Sequence, residues 1–228
     1  MDCFENIMLP NVKPNDGSIA ETKLIGQKPV LIIDDVLEQV RELREAVAKL
    51  EHKFGPPKNA YPGVRMAAEN FAPAFRLLFS RYVKDTFGLI DRYSQFKSYY
   101  SLTMSPEQEL ASEQTRPHRD FAINDPRVVA IAGIIYLFDD PRLGGTAFYE
   151  KLTDDNVSKL PRGAGYQIAT DSFFKLEDSC EAKLNRCIIF DATRYHSGHI
   201  ARPDLLNSGI LKGRLTLNFF LKSLVARS

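Results

Sequence analysis

Pro117-His118-Arg119-Asp120 places a histidine and a carboxylate two positions apart. On an extended strand, residues two apart project to the same side. His118 and Asp120 can therefore hold two neighbouring positions around one metal ion. A third ligand must come from elsewhere, and the chain has four histidines: His52, His118, His196 and His199. His52 ends a charged helical run, in Glu51-His52-Lys53, and is read as solvated. The other two share one segment, Tyr195-His196-Ser197-Gly198-His199. Two histidines and a carboxylate on one face of an octahedron suit Fe(II), with three positions left open. A lone His-x-Asp is a weak signal, since a surface strand with a hydrogen-bonded pair has the same residues. Its meaning depends on the elements that position it.

Those elements are bounded by composition. At 228 residues the chain fits one domain with an added helical layer, and a hydrophobic share of 44% is that of an ordinary globular core. Thirty basic against 29 acidic residues leave a net charge of +1, which gives no electrostatic case for nucleic acid or an anionic membrane. Three cysteines, Cys3, Cys180 and Cys187, without a Cys-x-x-Cys, argue for reduced thiols and a cytoplasmic setting. Asp2, Glu5 and Asn6 lie where a secretory signal would be basic and then apolar, so none is expected, and no uncharged run is long enough to span a bilayer.

Residues 1–28, rich in Pro, Asn, Asp and Gly, read as an irregular lead-in. Val30-Leu31-Ile32-Ile33 is a buried-strand signal. Asp34-Asp35 then precedes apolar residues at helical spacing from Val36 to Leu50, predicting a capped amphipathic helix. Tyr61-Pro62-Gly63-Val64-Arg65 reads as a turn with an arginine after it, a plain loop being slightly preferred and the role of Tyr61–Arg65 left open, and Ala67 to Phe87 as a second helix. From there the pattern changes to strands: Gln95–Leu102, Val128–Phe138, the Gly144-Gly145-Thr146 turn leading into Phe148-Tyr149, Arg186–Phe190 and Leu215–Leu221. Residues 1–92 are expected to supply a strand and supporting helices, and 93–224 a closed β core, all within one domain. The fold expected is mainly β with flanking helices, a jelly roll.

Several motifs taken in order resemble those of the Fe(II)- and 2-oxoglutarate-dependent dioxygenases. They are His118-x-Asp120, a histidine about eighty residues later, and Gly213-Arg214-x-Thr216 opening the last strand. Ile134-Ile135-Tyr136-Leu137-Phe138 followed by Gly144-Gly145-Thr146 is similar to the prolyl-hydroxylase-like branch, where asparagine stands in place of Phe138. The resemblance covers roughly residues 95–222, with a weaker match at Val30–Asp35. Each motif is short; their order and spacing are more specific.

The resemblance implies a double-stranded β-helix, cupin-like, with an N-terminal helical layer. It implies His118, Asp120 and one late histidine as ligands of Fe(II), and 2-oxoglutarate as cosubstrate. His196 is preferred because it follows the strand Cys187–Phe190 closely. His199 remains the alternative because it lies nearer Arg214; Pro203–Gly209 is read as the loop that absorbs the longer spacing from His196. The far carboxylate of 2-oxoglutarate needs a charged partner, and a guanidinium offers a matching fork. Arg214 sits where the family has that arginine, Thr216 faces the same side two residues on, and Tyr136 could add a phenolic hydrogen bond. Taken alone, Tyr136 is a core aromatic, Arg214 an exposed strand residue and Gly144-Gly145 a hairpin turn.

The implied reaction consumes O2 and 2-oxoglutarate and gives succinate, CO2 and a hydroxylated substrate. Asp120 points away from halogenation, since halogenating relatives lack the carboxylate. Small molecules, amino acids or peptide side chains are the expected substrates. The oligomeric state stays open, a homodimer included. The runner-up is a non-catalytic cupin-like binding or structural domain. A third reading, a metalloenzyme without 2-oxoglutarate, leaves Arg214 unexplained.

Overall fold

The last strand, β10 (Arg214–Val225), shows how the chain divides its core. Leu215, Leu217, Phe219 and Leu221 face one way, into a cluster shared with the helices. Arg214, Thr216, Asn218 and Phe220 face the other way and line a cavity. Period-two alternation therefore gives one strand an apolar face and a chemical face. The same division runs through β5 (Val128–Tyr136) and β8 (Cys187–Asp191): Ile131, Ile135 and Ile189 join the first cluster, and Ala132, Tyr136, Ile188 and Phe190 a second. Being covered on both faces explains why these strands read as continuous apolar runs.

In the computed structural model, residues 9–104, 110–153, 165–206 and 209–225 are described. The other strands are β1 (Ile19–Ile25), β2 (Lys28–Asp34), β3 (Gly63–Ala67), β4 (Leu89–Thr103), β6 (Gly145–Lys151), β7 (Phe174–Cys180) and β9 (Tyr195–His199). A seven-stranded antiparallel sheet has the order β1-β2-β8-β5-β10-β4-β3, and a three-stranded sheet the order β7-β6-β9. The two form a jelly roll, as the strand pattern predicts.

The outer face of the large sheet is covered by α1 (Val40–Ala48) and α2 (Ala72–Leu78), which runs on through a wide turn at Phe79–Val83. Phe71, Phe75, Phe96 and Phe219 pack there, with Phe75 stacked on Phe96 at 4.5 Å between ring centres. Burying each such side chain contributes about 1.5–3 kcal/mol.

Several sequence expectations need correction. The lead-in contains β1, paired with β2 along its full length. The first helix begins at Val40, after left-handed residues at Asp35 and Gln39, and not behind Asp34-Asp35. Val36 and Leu37 are buried before it, because Asn185 binds both the Leu37 amide and its carbonyl, at 3.0 and 2.8 Å. That tertiary contact overrides the helical spacing. Asp34 caps nothing and instead pairs with Arg186 and Lys183, at 2.7 and 3.0 Å. The second helix starts at Ala72, with Pro73 in its first turn, and Gly63–Ala67 is strand β3, not a plain loop. Strands β7 and β9 had no clear apolar signal. The expected division after residue 92 falls inside β4. Cys3 lies outside the described residues, as do Asn207 and Ser208 of the late loop; Cys180 and Cys187 are free and buried.

Candidate metal centre

His118 does not lie on a regular strand. It makes a single antiparallel bridge to His196 in β9, whose other edge pairs with β6 through Phe148. Asp120 sits in a bend, its amide donating to the Ala192 carbonyl at 3.0 Å, just beyond β8. His118 and Asp120 thus converge through two separate backbone anchors and not through strand alternation. The ligand atoms of His118, Asp120 and His196 all lie within 4.8 Å of one another. Asp120 Oδ2 is 3.2 Å from His196 Nε2, and Oδ1 is 3.8 Å from His118 Nε2. Ligands about 2.1 Å from an ion and at right angles stand about 3 Å apart, so the carboxylate–His196 edge already has that spacing.

Both imidazoles are oriented from behind. His196 Nδ1 donates to the Arg194 carbonyl at 3.0 Å, and His118 Nδ1 to the Arg116 carbonyl at 3.3 Å. Each bond commits Nδ1 as the donor and turns Nε2 towards the carboxylate. His118 lies in a recess that water reaches but protein crowds. Burial pushes it down to about 4, with the nearby His196 adding and Asp120 opposing, so it is neutral at pH 7. Burial also resists charge on His196, but the Asp120 carboxylate and its hydrogen bond carry that imidazole upward. Burial pushes Asp120 up, and the two histidines hold it below its ordinary value.

The triad opens onto a narrow inner cavity of about 90 Å³ between the sheets. That is room for roughly half a dozen waters, the scale of a small dicarboxylic acid. Arg214 lines it, 6% exposed. Its Nη2 donates to the Gly145 carbonyl at 3.0 Å, Nε to the Gly144 carbonyl at 3.2 Å and Nη1 to Thr103 Oγ1 at 3.4 Å. The Gly-Gly turn makes this seat. Gly144 has φ 86°, and a Cβ on Gly145 would lie 2.0 Å from the Cys180 carbonyl oxygen. Among the described residues no carboxylate pairs with Arg214.

Thr216 lines the same cavity, its hydroxyl donating to the Ser101 carbonyl at 3.3 Å. Tyr136 lies behind the wall: its hydroxyl donates to Thr146 Oγ1 at 2.9 Å, and Thr146 is what faces the cavity. Phe138 stands edge-on to Tyr136, with the Arg214 guanidinium 5.8 Å from its ring centre. His199, three residues past His196, points elsewhere and meets the Ile168 carbonyl at 3.2 Å. Arg202 is paired with Asp204 at 2.6 Å on the surface.

Two residues of the cavity escaped the sequence reading. Asn218 continues the inward row of β10, and its Oδ1 is buried with no hydrogen-bond partner among the described residues. Carrying the period-two argument past Thr216 would have found it. Arg65 lies on β3, on the same face as Gly63 and Ala67, and stacks on Tyr61 at 3.9 Å from the ring centre. Its signal was hidden by the Tyr-Pro-Gly turn before it.

The model of a family of unknown function, DUF6445, matches residues 17–159 and 150–221. The chain belongs to that family. No curated protein matches this DUF6445 chain. Among solved structures, EvdO2 from Micromonospora carbonacea var. aurantiaca is 14% identical, with 88% of this chain and 89% of that one covered and a TM-score of 0.51. SnoK, a non-haem α-ketoglutarate-dependent carbocyclase from nogalamycin biosynthesis, is 12% identical over 86% and 80% of the chains, with a TM-score of 0.50. A Pseudomonas putida prolyl-4-hydroxylase is 13% identical over 93% and 94%, with a TM-score of 0.42. This DUF6445 chain therefore has the fold of the Fe(II)- and 2-oxoglutarate-dependent oxygenases.

The donor set fits a ferrous ion: two imidazoles that turn Nε2 inward and one carboxylate. Arg214, with no carboxylate partner among the described residues, gives a small anionic cosubstrate a charge to bind. No helix among the described residues is long and apolar enough to cross a membrane.

Proposed function

We propose that this chain is an Fe(II)- and 2-oxoglutarate-dependent oxygenase that hydroxylates a small molecule, amino acid or peptide side chain. The observation that carries the reading is one cavity with two complementary parts. A His-Asp-His donor set stands at one part, and a buried arginine with no carboxylate partner among the described residues lines another. In this reading His118, Asp120 and His196 hold the metal. Arg214 and Thr216 bind the cosubstrate's far carboxylate, and Tyr136 acts only by orienting Thr146. Iron and 2-oxoglutarate, when bound, supply the activation of O2: one oxygen atom ends in succinate, the other in the hydroxylated substrate, and CO2 is released.

The chain's own residues do the rest. The backbone carbonyls of Arg116 and Arg194 hold both rings with Nε2 aimed at the metal position. The apolar wall at Phe190 and Ile134 restricts water beside the reacting centre. SnoK has this fold and is a carbocyclase, so the fold does not select hydroxylation, and Asp120 argues only against halogenation. The bonds from Arg214 to the Gly144-Gly145 turn would serve a non-catalytic domain or another metalloenzyme too, but its buried charge has no carboxylate partner among the described residues, and a 2-oxoglutarate carboxylate would supply one. Free buried thiols suit a cytoplasmic setting.

The test is turnover. The purified chain should convert 2-oxoglutarate to succinate only with Fe(II) and O2, and Asp120→Ala should abolish the conversion. Iron-independent succinate formation, or none under any iron loading with substrate extracts, contradicts the proposal.

A further inference from the structure

The inner cavity opens at Arg65, Asp120 and Phe220 into a second, larger recess of about 660 Å³. That size suits an organic metabolite. Its lining carries five cations, Lys53, Lys58, Arg65, Lys97 and Lys222, against a single carboxylate, Asp120, which belongs to the triad. The whole chain balances 30 basic with 29 acidic residues, so this excess is local. It is also built by the strands. Arg65 is on the inward face of β3, Lys97 pairs with Phe220 across β4 and β10, and Lys222 extends the inward row of Arg214, Thr216, Asn218 and Phe220.

Arg65 is the central feature. It is half-buried, and burial disfavours its charge. No carboxylate forms an ion pair with it among the described residues. Instead it lies on the Tyr61 ring, donates from Nε to Ser101 Oγ at 3.1 Å and from Nη1 to Asn59 Oδ1 at 3.3 Å. These contacts fix the plane of the guanidinium and leave Nη2 without a partner among the described residues. A pre-oriented, partly desolvated fork without a carboxylate is what an oxyanion ligand binds best. Tyr99, Phe121 and Phe220 add an apolar wall beside it.

We propose that the substrate is a small organic anion, a phosphate monoester or a carboxylic acid, whose charged group docks on Arg65, with Lys97 and Lys222 on the same wall. This rests on the oxygenase reading for the word substrate, but the anion site itself does not need the metal. Seating the charge at Arg65, at the junction of the two cavities, would present the uncharged part of the molecule to the triad.

Phenyl phosphate, benzoate and neutral benzyl alcohol are suitable probes, titrated by calorimetry into the full chain without metal or 2-oxoglutarate. At least one anion should bind, more weakly as salt rises, and benzyl alcohol should not. The phosphate and carboxylate arms tell which group is preferred. Arg65→Gln should weaken the anion about tenfold or more, Arg65→Lys much less, and Lys97→Gln/Lys222→Gln, at the exposed Lys97 and half-buried Lys222, by several-fold. None of these should shift 2-oxoglutarate affinity in the iron-loaded protein. Equal binding of the anions and benzyl alcohol overturns the proposal, as does unchanged anion affinity in both Arg65→Gln and the lysine pair. Loss of 2-oxoglutarate binding in Arg65→Gln, with phenyl phosphate and benzoate unaffected, also overturns it by assigning Arg65 to the cosubstrate. If the anions bind through Arg65 but iron and 2-oxoglutarate do not bind at all, the oxygenase reading fails and the anion site stands.

Discussion

His118 and His196 exchange both backbone hydrogen bonds, each amide donating to the other's carbonyl at 3.0 Å. Residues paired directly across antiparallel strands place their side chains on one face. This bridge therefore aligns two imidazoles from distant parts of the chain, with ring centres 4.7 Å apart. Asp120 then needs only its own anchor on Ala192 to complete the set.

Removing a ligand should separate metal binding from folding. His118→Ala, Asp120→Ala and His196→Ala should each lose tight Fe(II) binding while keeping the β-rich circular dichroism of the parent. His199→Ala should bind iron normally, because that ring lies on the other side of β9. Normal binding in His196→Ala with loss in His199→Ala would reverse the assignment.

Arg214 is expected to act on the cosubstrate and not on the metal. Leaving one partner of a buried charge pair uncompensated costs about 3–5 kcal/mol. At about 1.4 kcal/mol per tenfold, Arg214→Ala should lose two to three decades or more of 2-oxoglutarate affinity. Its Fe(II) affinity should be unchanged, and lysine should restore only part of the loss, lacking the fork. Equal 2-oxoglutarate affinity in Arg214→Ala and parent would remove the cosubstrate from this site.

Asp34 should give stability a pH dependence. Hydrogen bonds from Arg186, despite the opposing effect of burial, and then from Lys183 hold its carboxyl below the ordinary 3.8. A depressed folded value means a contribution that is full above the unfolded value and fades as pH falls through the folded one. Asp34→Asn should cost about 1–2 kcal/mol at pH 7, in the range of hydrogen bonds to charged groups discounted for partial exposure. Urea unfolding should show that difference shrinking below about pH 4. A difference constant down to pH 2 would contradict the linkage.

Phe75 is fully buried among Phe71, Phe79, Phe96 and Phe219. Phe75→Ala should destabilise the fold by about 3–5 kcal/mol, read from the urea midpoint. Below about 1 kcal/mol, the helix layer would not be part of the same core.

How much of this was legible in the sequence varied with how local its cause is. Strands β5, β8 and β10 announced themselves because burial on both faces leaves them apolar throughout. Strands β7 and β9 were silent because Phe174–Cys180 and Tyr195–His199 lie in the small sheet, where polar residues face the site or solvent. The ligand pair was found by an argument from strand alternation that the bend at Asp120 does not obey. His196 was preferred over His199 because it closely follows Cys187–Phe190, and in β9 it stands beside Asp120 while His199 meets the Ile168 carbonyl. The role of Arg65 and the start of α1 were hidden for one reason: tertiary contacts, with Ser101 on β4 in one case and Asn185 in the other, set the local structure.

The central claim is that one cavity holds Fe(II) on His118, Asp120 and His196 and a 2-oxoglutarate carboxylate on Arg214. Anaerobic titration of the iron-loaded chain with 2-oxoglutarate tests it most directly, by the weak visible charge-transfer band of the chelate. The account predicts a saturable band with one equivalent bound, absent in His118→Ala and Asp120→Ala and shifted to far higher 2-oxoglutarate in Arg214→Ala. No band in the folded, iron-loaded parent, or an equal band in Arg214→Ala, would contradict it.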